Sequence, residues 1–356
     1  MLAVILFCMD LVALTRQLVD IESITGNEAA VGEFLFRTLT QLGLQVERMD
    51  VPAATPTHVA SSGVEGSPAE RFNVYAFWPE TPAPAIVFST HIDTVPPFIP
   101  SFEDAERIYG RGSCDAKGIL AAQVGAALRL HADGINVGLL FVVGEERDST
   151  GAIVANGQPR GARFLVNGEP TDNKLAIASK GSLRVEITAR GRMAHSAYPE
   201  LGESAIDKLL EALRRLKAMD LPNDPDLGLC TMNIGVIEGG RAPNVIPDFA
   251  RALLLCRLVG PSEDLKRDIA QAVDGLAEVQ FPLDIPLIRM RTVEGLPTMV
   301  AAFTTDIPAL SNWGQPLLLG PGSIHVAHTE HEYLEKKQLF EAVDLYTKIA
   351  TKLARS

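Results

Sequence analysis

The sequence has no surplus of basic residues and no long hydrophobic run. Its 356 residues include 32 Lys or Arg and 44 Asp or Glu, which gives a formal net charge of −12. Because binding to a nucleic acid backbone requires a basic face, this balance argues against nucleic acid as a partner. No stretch reaches the about 18 apolar residues of a membrane-spanning helix, so we expect no membrane partner. The N-terminal run MLAVILFCMD is short and follows no Lys or Arg, so we expect no signal peptide.

The chain contains only four cysteines, and they form no metal-binding or redox motif. Cys8, Cys114, Cys230 and Cys256 include no C-x-x-C pair, which argues against a zinc ribbon and against a thioredoxin motif. Scattered cysteines in a chain of this length favour a reducing compartment, so we expect a cytoplasmic location.

Two further motifs are missing. No G-x-S-x-G occurs, which argues against a serine α/β-hydrolase. The glycine-rich stretch GRGSCD lacks the third glycine of G-x-G-x-x-G, because Asp115 stands in its place. A carboxylate there would repel a phosphate, so we do not expect a nucleotide site.

The spacing of hydrophobic residues predicts an α/β fold. Short apolar runs rich in β-branched or aromatic residues are typical of strands buried on both faces of a parallel sheet. These runs span residues 73–78, 85–89, 137–143 and 163–166. Apolar residues at helical spacing occupy residues 10–22, 27–42, 118–131 and 335–353. We therefore predict a mostly parallel sheet with flanking helices.

The pattern changes after Pro170 and predicts a second domain. Alternating strands and two amphipathic helices follow in the order β-α-β-β-α-β, with Ser262 as the expected cap of the second helix. This order is typical of a ferredoxin-like α+β domain. We predict that this domain spans 172–285 and is inserted into an α/β domain formed by 1–171 and 286–356.

Acidic and histidine side chains follow the predicted strands of the first domain. His91 and Asp93 follow one strand, Glu145 and Glu146 another, and Glu169 a third. Ligand sites of open α/β sheets form at the carboxyl ends of the strands, so these side chains should meet there. A mixed set of histidine and carboxylate ligands suits zinc, manganese or cobalt, and several carboxylates suit a two-metal site.

Seven motifs in order along the chain resemble those of a family of two-zinc metallopeptidases and amidohydrolases. They are STHIDTVPP, GRGSCDAKG, GEERDSTG, NGEPTD, GRMAHSAYP, APNVIP and GPGSIHVAHTEHEYL. The family includes acetylornithine deacetylase, succinyl-diaminopimelate desuccinylase, aminoacylases, carboxypeptidase-G-like enzymes and dipeptidases. The resemblance covers nearly the whole chain. It implies a zinc-exopeptidase-like catalytic domain and an inserted domain that serves as lid and dimer interface, and hence a homodimer.

The resemblance also implies which residues bind metal. Two divalent ions, zinc in the first place and cobalt or manganese as alternatives, would share Asp115 as a bridging ligand. His91 and Glu169 would complete one metal site, and Glu146 and His328 the other.

Further roles follow from the resemblance for residues that bind no metal. Glu145 would move the proton of the attacking water, and Asp93 would orient the ring of His91. His195 would stabilise the oxyanion of the tetrahedral intermediate, often from the partner subunit of a dimer. Alternatively, His195 is a surface histidine without a function, and Arg257 is a surface arginine in a salt bridge.

The substrate contacts implied by the resemblance are Asn244, Arg257 and Gly322. An arginine suits a substrate carboxylate because it forms two parallel hydrogen bonds with it. Gly322 would present its backbone to the substrate.

The reaction implied by the resemblance is hydrolysis of the amide bond of an N-acyl amino acid by a water that bridges the metals. The acyl group stays open, because GSL…AYP resembles the desuccinylases and GPGSIHVAHTEHEYL the acetylornithine-type deacetylases. A dipeptidase or carboxypeptidase also stays open, because both hydrolyse an amide next to an amino-acid carboxylate. A non-catalytic metal-binding paralogue would have a damaged ligand set, and none of the expected positions is damaged.

The three histidines of SIHVAHTEHEYL allow a test of the ligand assignment. The family register selects His328, four residues before Glu332, and leaves His325 and His331 at non-ligand positions. We expect His328→Ala to reduce the number of bound ions and His331→Ala to leave it unchanged. Metal analysis of the two purified variants measures this, and the reverse result contradicts the register.

Overall fold

The computed structural model describes residues 9–52 and 71–356. Residues 1–8 of the apolar N-terminal run lie outside the described residues, and so do residues 53–70, whose composition predicts a loop. The chain divides into two compact units. The first comprises Met1–Ile177, Met290–Met299 and Thr305–Ser356, and the second comprises Ala178–Arg289 and Val300–Thr304.

Seven α-helices lie in the described part of the chain. They are α1 (Leu11–Val19), α2 (Ala29–Gln41), α3 (Lys117–Ala132), α4 (Thr150–Asn156), α5 (Ala205–Lys217), α6 (Glu263–Val273) and α7 (Lys336–Ala354). Among them, none is long and apolar enough to cross a membrane.

Twenty strands lie in the same part of the chain, many of them short. They are β1 (Gln45–Val51), β2 (Arg71–Phe77), β3 (Ile86–His91), β4 (Phe102–Glu103), β5 (Arg107–Tyr109), β6 (Gly138–Val142), β7 (Phe164–Asn167), β8 (Leu175–Ser179), β9 (Gly181–Arg190), β10 (Ala194–His195), β11 (Asn223–Asp224), β12 (Gly228–Leu229), β13 (Thr231–Gly239), β14 (Val245–Ile246), β15 (Phe249–Leu258), β16 (Glu278–Ile285), β17 (Ile288–Arg289), β18 (Thr298–Ala301), β19 (Gln315–Leu318) and β20 (Tyr333–Glu335).

The first unit is built on a six-stranded mixed sheet with the order β1-β2-β6-β3-β7-β19. Strands β6, β3, β7 and β19 run parallel to one another, whereas β2 pairs antiparallel with both β1 and β6 at one side of the sheet. The predicted parallel sheet is therefore correct for four strands. The antiparallel pair arises because β1 and β2 are joined as consecutive strands and need no crossover helix.

Both faces of this sheet are buried, as the continuous apolar runs indicate. Successive residues of a strand point to opposite faces. Accordingly, Val74 and Ala76 of β2 lie in one hydrophobic core, which also includes residues of α1, α2, α3 and α7. Tyr75 and Phe77 lie in the other core, together with Trp313. Helices on both sides thus hold the sheet rigid, and the ends of its central strands are fixed.

The second unit contains a four-stranded antiparallel sheet with the order β13-β15-β9-β16. Helices α5 and α6 contact this sheet and each other, which confirms the order β-α-β-β-α-β and the ferredoxin-like arrangement. The fourth strand, β16, forms at the edge of the sheet. Its pairing with β9 is irregular between Gln280 and Leu283, around Pro282, which has no N–H to donate.

Two details of the second unit differ from the sequence-based expectations. The unit begins at Ala178 and its main segment ends at Arg289, several residues beyond the expected 172 and 285. Ser262 stands at the start of α6 but forms no side-chain cap, and this expectation is wrong. Its hydroxyl instead donates a hydrogen bond to the Asp284 carboxylate at 2.6 Å. A hydrogen bond to a charged carboxylate is stronger than the neutral bond between a backbone N–H and a hydroxyl oxygen that a cap would form.

Helix α5 begins with a side-chain cap that permits a stability test. The Ser204 hydroxyl oxygen accepts a hydrogen bond from the Asp207 N–H at 3.1 Å. We expect Ser204→Ala to destabilise the start of α5 by about 1 kcal/mol, which speeds hydrogen exchange of its amides about fivefold. Ser204→Asp keeps a capping oxygen and should keep the protection. Equal exchange in the wild-type protein and Ser204→Ala would show that the cap contributes nothing.

Candidate metal centre

The carboxyl ends of three adjacent strands bring the expected site residues together. His91 is the last residue of β3, and Glu145 and Glu169 follow β6 and β7 by a few residues. Because β6, β3 and β7 are parallel neighbours, their carboxyl ends share one edge of the sheet. Asp115 reaches the same place from the turn between β5 and α3, where its carboxylate meets the ring of His91.

The carboxylate of Asp115 lies between two histidines. Its Oδ1 is 3.0 Å from Nε2 of His91, and its Oδ2 is 3.4 Å from Nε2 of His328. Nε2 of His328 also lies 3.0 Å from Oε1 of Glu146. Each oxygen of Asp115 therefore faces a separate histidine, which is the arrangement that a bridging carboxylate requires.

Three groups of possible ligand atoms occur in the described ranges, each with all atoms within 4.8 Å of one another. One group is His91, Asp115 and Glu169, and another is Asp115, Glu146 and His328. A third group joins His91 with Glu145 and Glu146, so distance alone does not separate the two glutamates. Their contacts do: Glu146 is hydrogen-bonded to His328, whereas the carboxylate of Glu145 has no hydrogen-bond partner in the described chain.

The burial of these carboxylates fits a cation. Oε1 of Glu169 is buried and has no hydrogen-bond partner among the residues described. Burial raises the pKa of the Glu145, Glu146 and Glu169 carboxyls above their ordinary values. A buried carboxylate stays ionised only where hydrogen-bond donors or a positive charge compensate for the lost hydration, and Oε1 of Glu169 has no donor in the described chain. Three carboxylates and two imidazoles are ligands that suit zinc, manganese or cobalt, so the donor set fits two divalent ions.

The two histidines are held in their positions by the same carboxylates. Burial lowers the pKa of His91, but hydrogen bonds with Asp115 and Asp93 outweigh it and raise that pKa well above its ordinary value. Hydrogen bonds with Asp115 and Glu146 raise the pKa of His328 to about 10. A proton and a metal ion compete for the same ring nitrogen, so the negative charge that favours the proton also favours a cation.

His328 has an unusual backbone conformation, whereas its two neighbouring histidines do not. Its φ is +62°, in the left-handed region that residues other than glycine rarely adopt. Strain of this kind persists where the surrounding structure holds the residue in place, and it is frequent at functional sites. His325 and His331 are exposed and belong to none of the three ligand groups found in the described ranges.

Asp93 contacts the ring of His91 through its backbone and its side chain, and its carboxylate has further partners. Nδ1 of His91 is 3.0 Å from the backbone oxygen of Asp93 and 3.5 Å from its Oδ1. The carboxylate also accepts hydrogen bonds from the N–H groups of Glu145 at 3.1 Å and Glu146 at 3.2 Å. The Thr25 hydroxyl also donates to it, at 2.7 Å. Asp93 therefore holds the histidine ring through its backbone oxygen and its Oδ1, and its carboxylate also holds the turn that carries both glutamates.

Sequence reasoning missed the buried ion pair of Arg111 and Glu332. Nη1 of Arg111 donates a hydrogen bond to Oε2 of Glu332 at 2.6 Å, and both side chains are almost fully buried. The two residues are 221 positions apart in the sequence, and nothing in the local pattern predicts their contact. The one signal was their location, since each lies within four residues of a predicted ligand.

Three of the expected residues, His195, Asn244 and Arg257, belong to the second unit. The His195 backbone pairs with Val245, and the Ser196 N–H donates to the backbone oxygen of Asn244 at 3.0 Å, so His195 and Asn244 are neighbours. Nδ1 of His195 accepts a hydrogen bond from the Ala197 N–H at 3.1 Å, which leaves Nε2 as the protonated nitrogen. Arg257 has no carboxylate partner in the described chain, and partial burial lowers its pKa.

Gly322 belongs to the first unit, where its backbone groups already have partners. Its N–H donates to Oε1 of Gln338 at 2.6 Å, and its carbonyl oxygen accepts from the Asp172 N–H at 2.7 Å. A contact from this glycine to a substrate therefore stays a prediction, and the second lone pair of the carbonyl oxygen is the group available for it.

Comparison with known proteins places the chain in a family. Residues 177–282 match the model of the peptidase dimerisation domain. A peptidase M20 domain-containing protein of Schizosaccharomyces pombe is 39% identical over 349 residues, which cover 96% of this chain and 84% of the relative. The chain belongs to the M20 peptidase family. A probable carboxypeptidase of Paracoccidioides brasiliensis is 38% identical over 380 residues, and the alignment covers 95% of this chain and 84% of that relative.

Solved structures agree with the fold of the M20 family. An aminopeptidase PepT of Bacillus cereus has a TM-score of 0.75 at 21% identity and covers 97% of this chain and 98% of its own. A Bacillus subtilis protein described as a dinuclear metal-binding peptidase of the M20 family has a TM-score of 0.66 at 17% identity. It covers 96% of this chain and 97% of its own. The expected fold class is confirmed: mixed α/β sheets with a dimerisation domain.

The role of Asp93 in this M20 peptidase leads to a test. We expect Asp93→Asn to weaken zinc binding by about 10–100-fold. In the wild type both glutamate N–H groups donate to carboxylate oxygens, whereas in the variant one of them would face the NH₂ group of asparagine, which cannot accept a hydrogen bond. Thr25→Val removes one donor to the same carboxylate and should cost less than Asp93→Asn. Titration of the metal-stripped proteins with zinc against a competing chelator measures both. A wild-type affinity in Asp93→Asn would show that the glutamate turn holds its position without the carboxylate.

Proposed function

We propose that this M20 peptidase is a metal-dependent carboxypeptidase that hydrolyses an amide bond next to a free carboxylate. The observation that carries the proposal is the position of Asp115 between His91 and His328, with the carboxylate of Glu145 beside them and free of hydrogen bonds to the described chain. The names of the curated relatives that are probable carboxypeptidases support the choice of substrate class.

Two divalent ions, zinc in the first place, would be held by the ligands that the motifs imply. Asp115 would contribute one oxygen to each ion, with His91 and Glu169 at one and Glu146 and His328 at the other. When bound, the ions polarise the scissile carbonyl and lower the pKa of the attacking water. The buried, otherwise uncompensated oxygen of Glu169 supports this assignment.

Glu145 would transfer the proton in each half of the reaction. Its carboxylate takes a proton from the water whose oxygen attacks the carbonyl carbon, and a new C–O bond forms. It then gives that proton to the leaving nitrogen as the C–N bond breaks. Asp93 supports this role because it holds the backbone of Glu145 and thereby aims the carboxylate.

Residues of the second unit would bind the substrate and stabilise the transition state. His195 would donate a hydrogen bond from Nε2 to the oxyanion, which its tautomer permits. Arg257 would bind the terminal carboxylate, and its lack of an acidic partner in the described chain supports this. Asn244 and the carbonyl of Gly322 would complete the contacts. We also propose that this unit is lid and interface of a homodimer, in line with its match to a dimerisation domain.

An N-acyl amino acid deacylase is the second candidate. The motif GPGSIHVAHTEHEYL, which resembles the acetylornithine-type deacetylases, favours it. Such an enzyme would use the same ligands and the same proton transfer, because it also hydrolyses an amide next to an amino-acid carboxylate. The cytoplasmic location stays a prediction for either activity.

A matched set of substrates tests the proposal. We expect hydrolysis of N-blocked dipeptides that have a free terminal carboxylate, with zinc or cobalt added, and at least 10-fold lower kcat/KM for the same dipeptides as terminal amides, because each lacks the charge that Arg257 would bind. N-acetyl and N-succinyl amino acids test the deacylase alternative. Faster hydrolysis of these acyl compounds than of every dipeptide would favour the deacylase, and equal rates for acid and amide would contradict the carboxylate contact.

The variant Glu145→Gln is the matched control for that assay. It has nearly the same size as the wild-type residue but accepts no proton, so it should still bind two ions and hydrolyse none of the substrates. Metal analysis and turnover are measured on the same preparation. Substantial turnover in this variant would show that another group moves the proton.

A further inference from the structure

We propose that Glu332 is a positioning residue that fixes Asp115 and the segment of His328 relative to each other. None of the comparisons and none of the motif roles assigns it a function. The inference rests on the proposed metal site, because its value lies in placing two ligands of that site.

Glu332 binds the turn that carries Asp115 at four points. Its Oε1 accepts hydrogen bonds from the N–H groups of Gly112 at 3.0 Å, Cys114 at 3.1 Å and Asp115 at 3.0 Å. Its Oε2 accepts the hydrogen bond of Arg111 at 2.6 Å. Glu332 is 2% exposed, so these donors replace the water that the carboxylate has lost.

The convergence of backbone donors distinguishes this contact from an ordinary ion pair. A salt bridge between two side chains needs only Arg111, and would leave the backbone of the turn free to move. Here three N–H groups of one turn point at one oxygen, so the path of the chain through residues 112–115 is fixed around the carboxylate. The side chain of Asp115 leaves from a backbone that Glu332 holds.

The segment that contains Glu332 also contains His328, four residues earlier. The backbone of this segment is tied to the same region: the carbonyl oxygen of Glu332 accepts the Gly110 N–H at 3.2 Å, and Tyr333 of β20 pairs with Tyr109 of β5. Glu332 thus joins the two pieces of chain whose ligands, Asp115 and His328, face each other.

Glycines let the two pieces approach closely. A Cβ at Gly118 would lie 2.3 Å from Cδ2 of Leu334, and a Cβ at Gly322 would lie 2.4 Å from Sγ of Cys114. Each glycine sits on one piece and the crowded atom on the other. The contact between the turn and the His328 segment is therefore closely packed on both sides of Glu332, and a shift of one piece would move the other.

The variant Glu332→Gln tests the proposal directly. It keeps the size of the side chain, but it replaces one carboxylate oxygen with an NH₂ group that cannot accept a hydrogen bond. Either Arg111 or the backbone N–H groups therefore lose their acceptor. We expect at least 10-fold weaker zinc binding to the metal-stripped protein, measured with a competing chelator, and an altered d–d absorption spectrum of the cobalt-loaded protein. Glu332→Asp keeps the charge but is one methylene shorter, so it cannot reach all four donors. It should therefore bind zinc more weakly than the wild type as well.

Two control variants separate positioning from stability. Glu335→Gln removes the same charge from the same segment, where Glu335 is partly exposed and pairs with Arg107 at 3.7 Å, and it should bind zinc as the wild type does. Leu39→Ala removes buried volume from α2, which carries no ligand, and should lower the unfolding temperature of the metal-free protein without weakening zinc binding. Wild-type zinc affinity in either Glu332 variant overturns the proposal. It is also overturned if Leu39→Ala, at the same loss of unfolding temperature as a Glu332 variant, weakens zinc binding as much as that variant does.

The design distinguishes this inference from the proposed function. If the wild-type protein binds no pair of divalent ions, the proposed metal site is wrong. If the wild type binds two ions tightly and either Glu332 variant does the same, the metal site stands and the positioning role of Glu332 is wrong.

Discussion

The structure of the candidate site depends on the accumulation of negative charge at a buried sheet edge. Asp115, Glu146 and Glu169 converge with only two histidines between them, and burial of their carboxylates opposes ionisation. The neighbouring carboxylates are stabilised by hydrogen bonds: Asp93 accepts from Thr25 and two backbone N–H groups, and Glu332 from Arg111 and three. Oε1 of Glu169 has no such donor in the described chain, and the proposed cation would compensate its charge.

The layers of the first unit serve this arrangement by making the strand ends rigid. Helices cover both faces of the six-stranded sheet, so β3, β6 and β7 cannot shift along one another without breaking two cores. The ligands that follow these strands inherit that precision. Asp115 and His328 come from irregular chain instead, and the side chain of Glu332 binds the turn that carries Asp115.

Much of this could be predicted from the sequence, for identifiable physical reasons. Periodic segments such as 27–42 and 335–353 were predicted to within two residues, because one buried face dominates their pattern. Strand β1 was not, since QVERMDV is mostly charged or polar and only its position at the sheet edge makes it a strand. The cap expected of Ser262 failed because its hydroxyl had a choice of partners, and only the folded structure brings the Asp284 carboxylate within reach. The further partners of the Asp93 carboxylate depend on the fold in the same way.

The distances in sequence between the ligands have a consequence for folding. Glu146 and His328 meet across 182 positions, and Arg111 and Glu332 across 221. Contacts of such long range are late and slow to form, because the chain between them must first be ordered. A metal ion that needs ligands from such distant parts of the chain would bind the native protein far better than any partly folded form. It would therefore add to stability only when folding is complete. Metal uptake would therefore act as a check on correct assembly as well as a step toward activity.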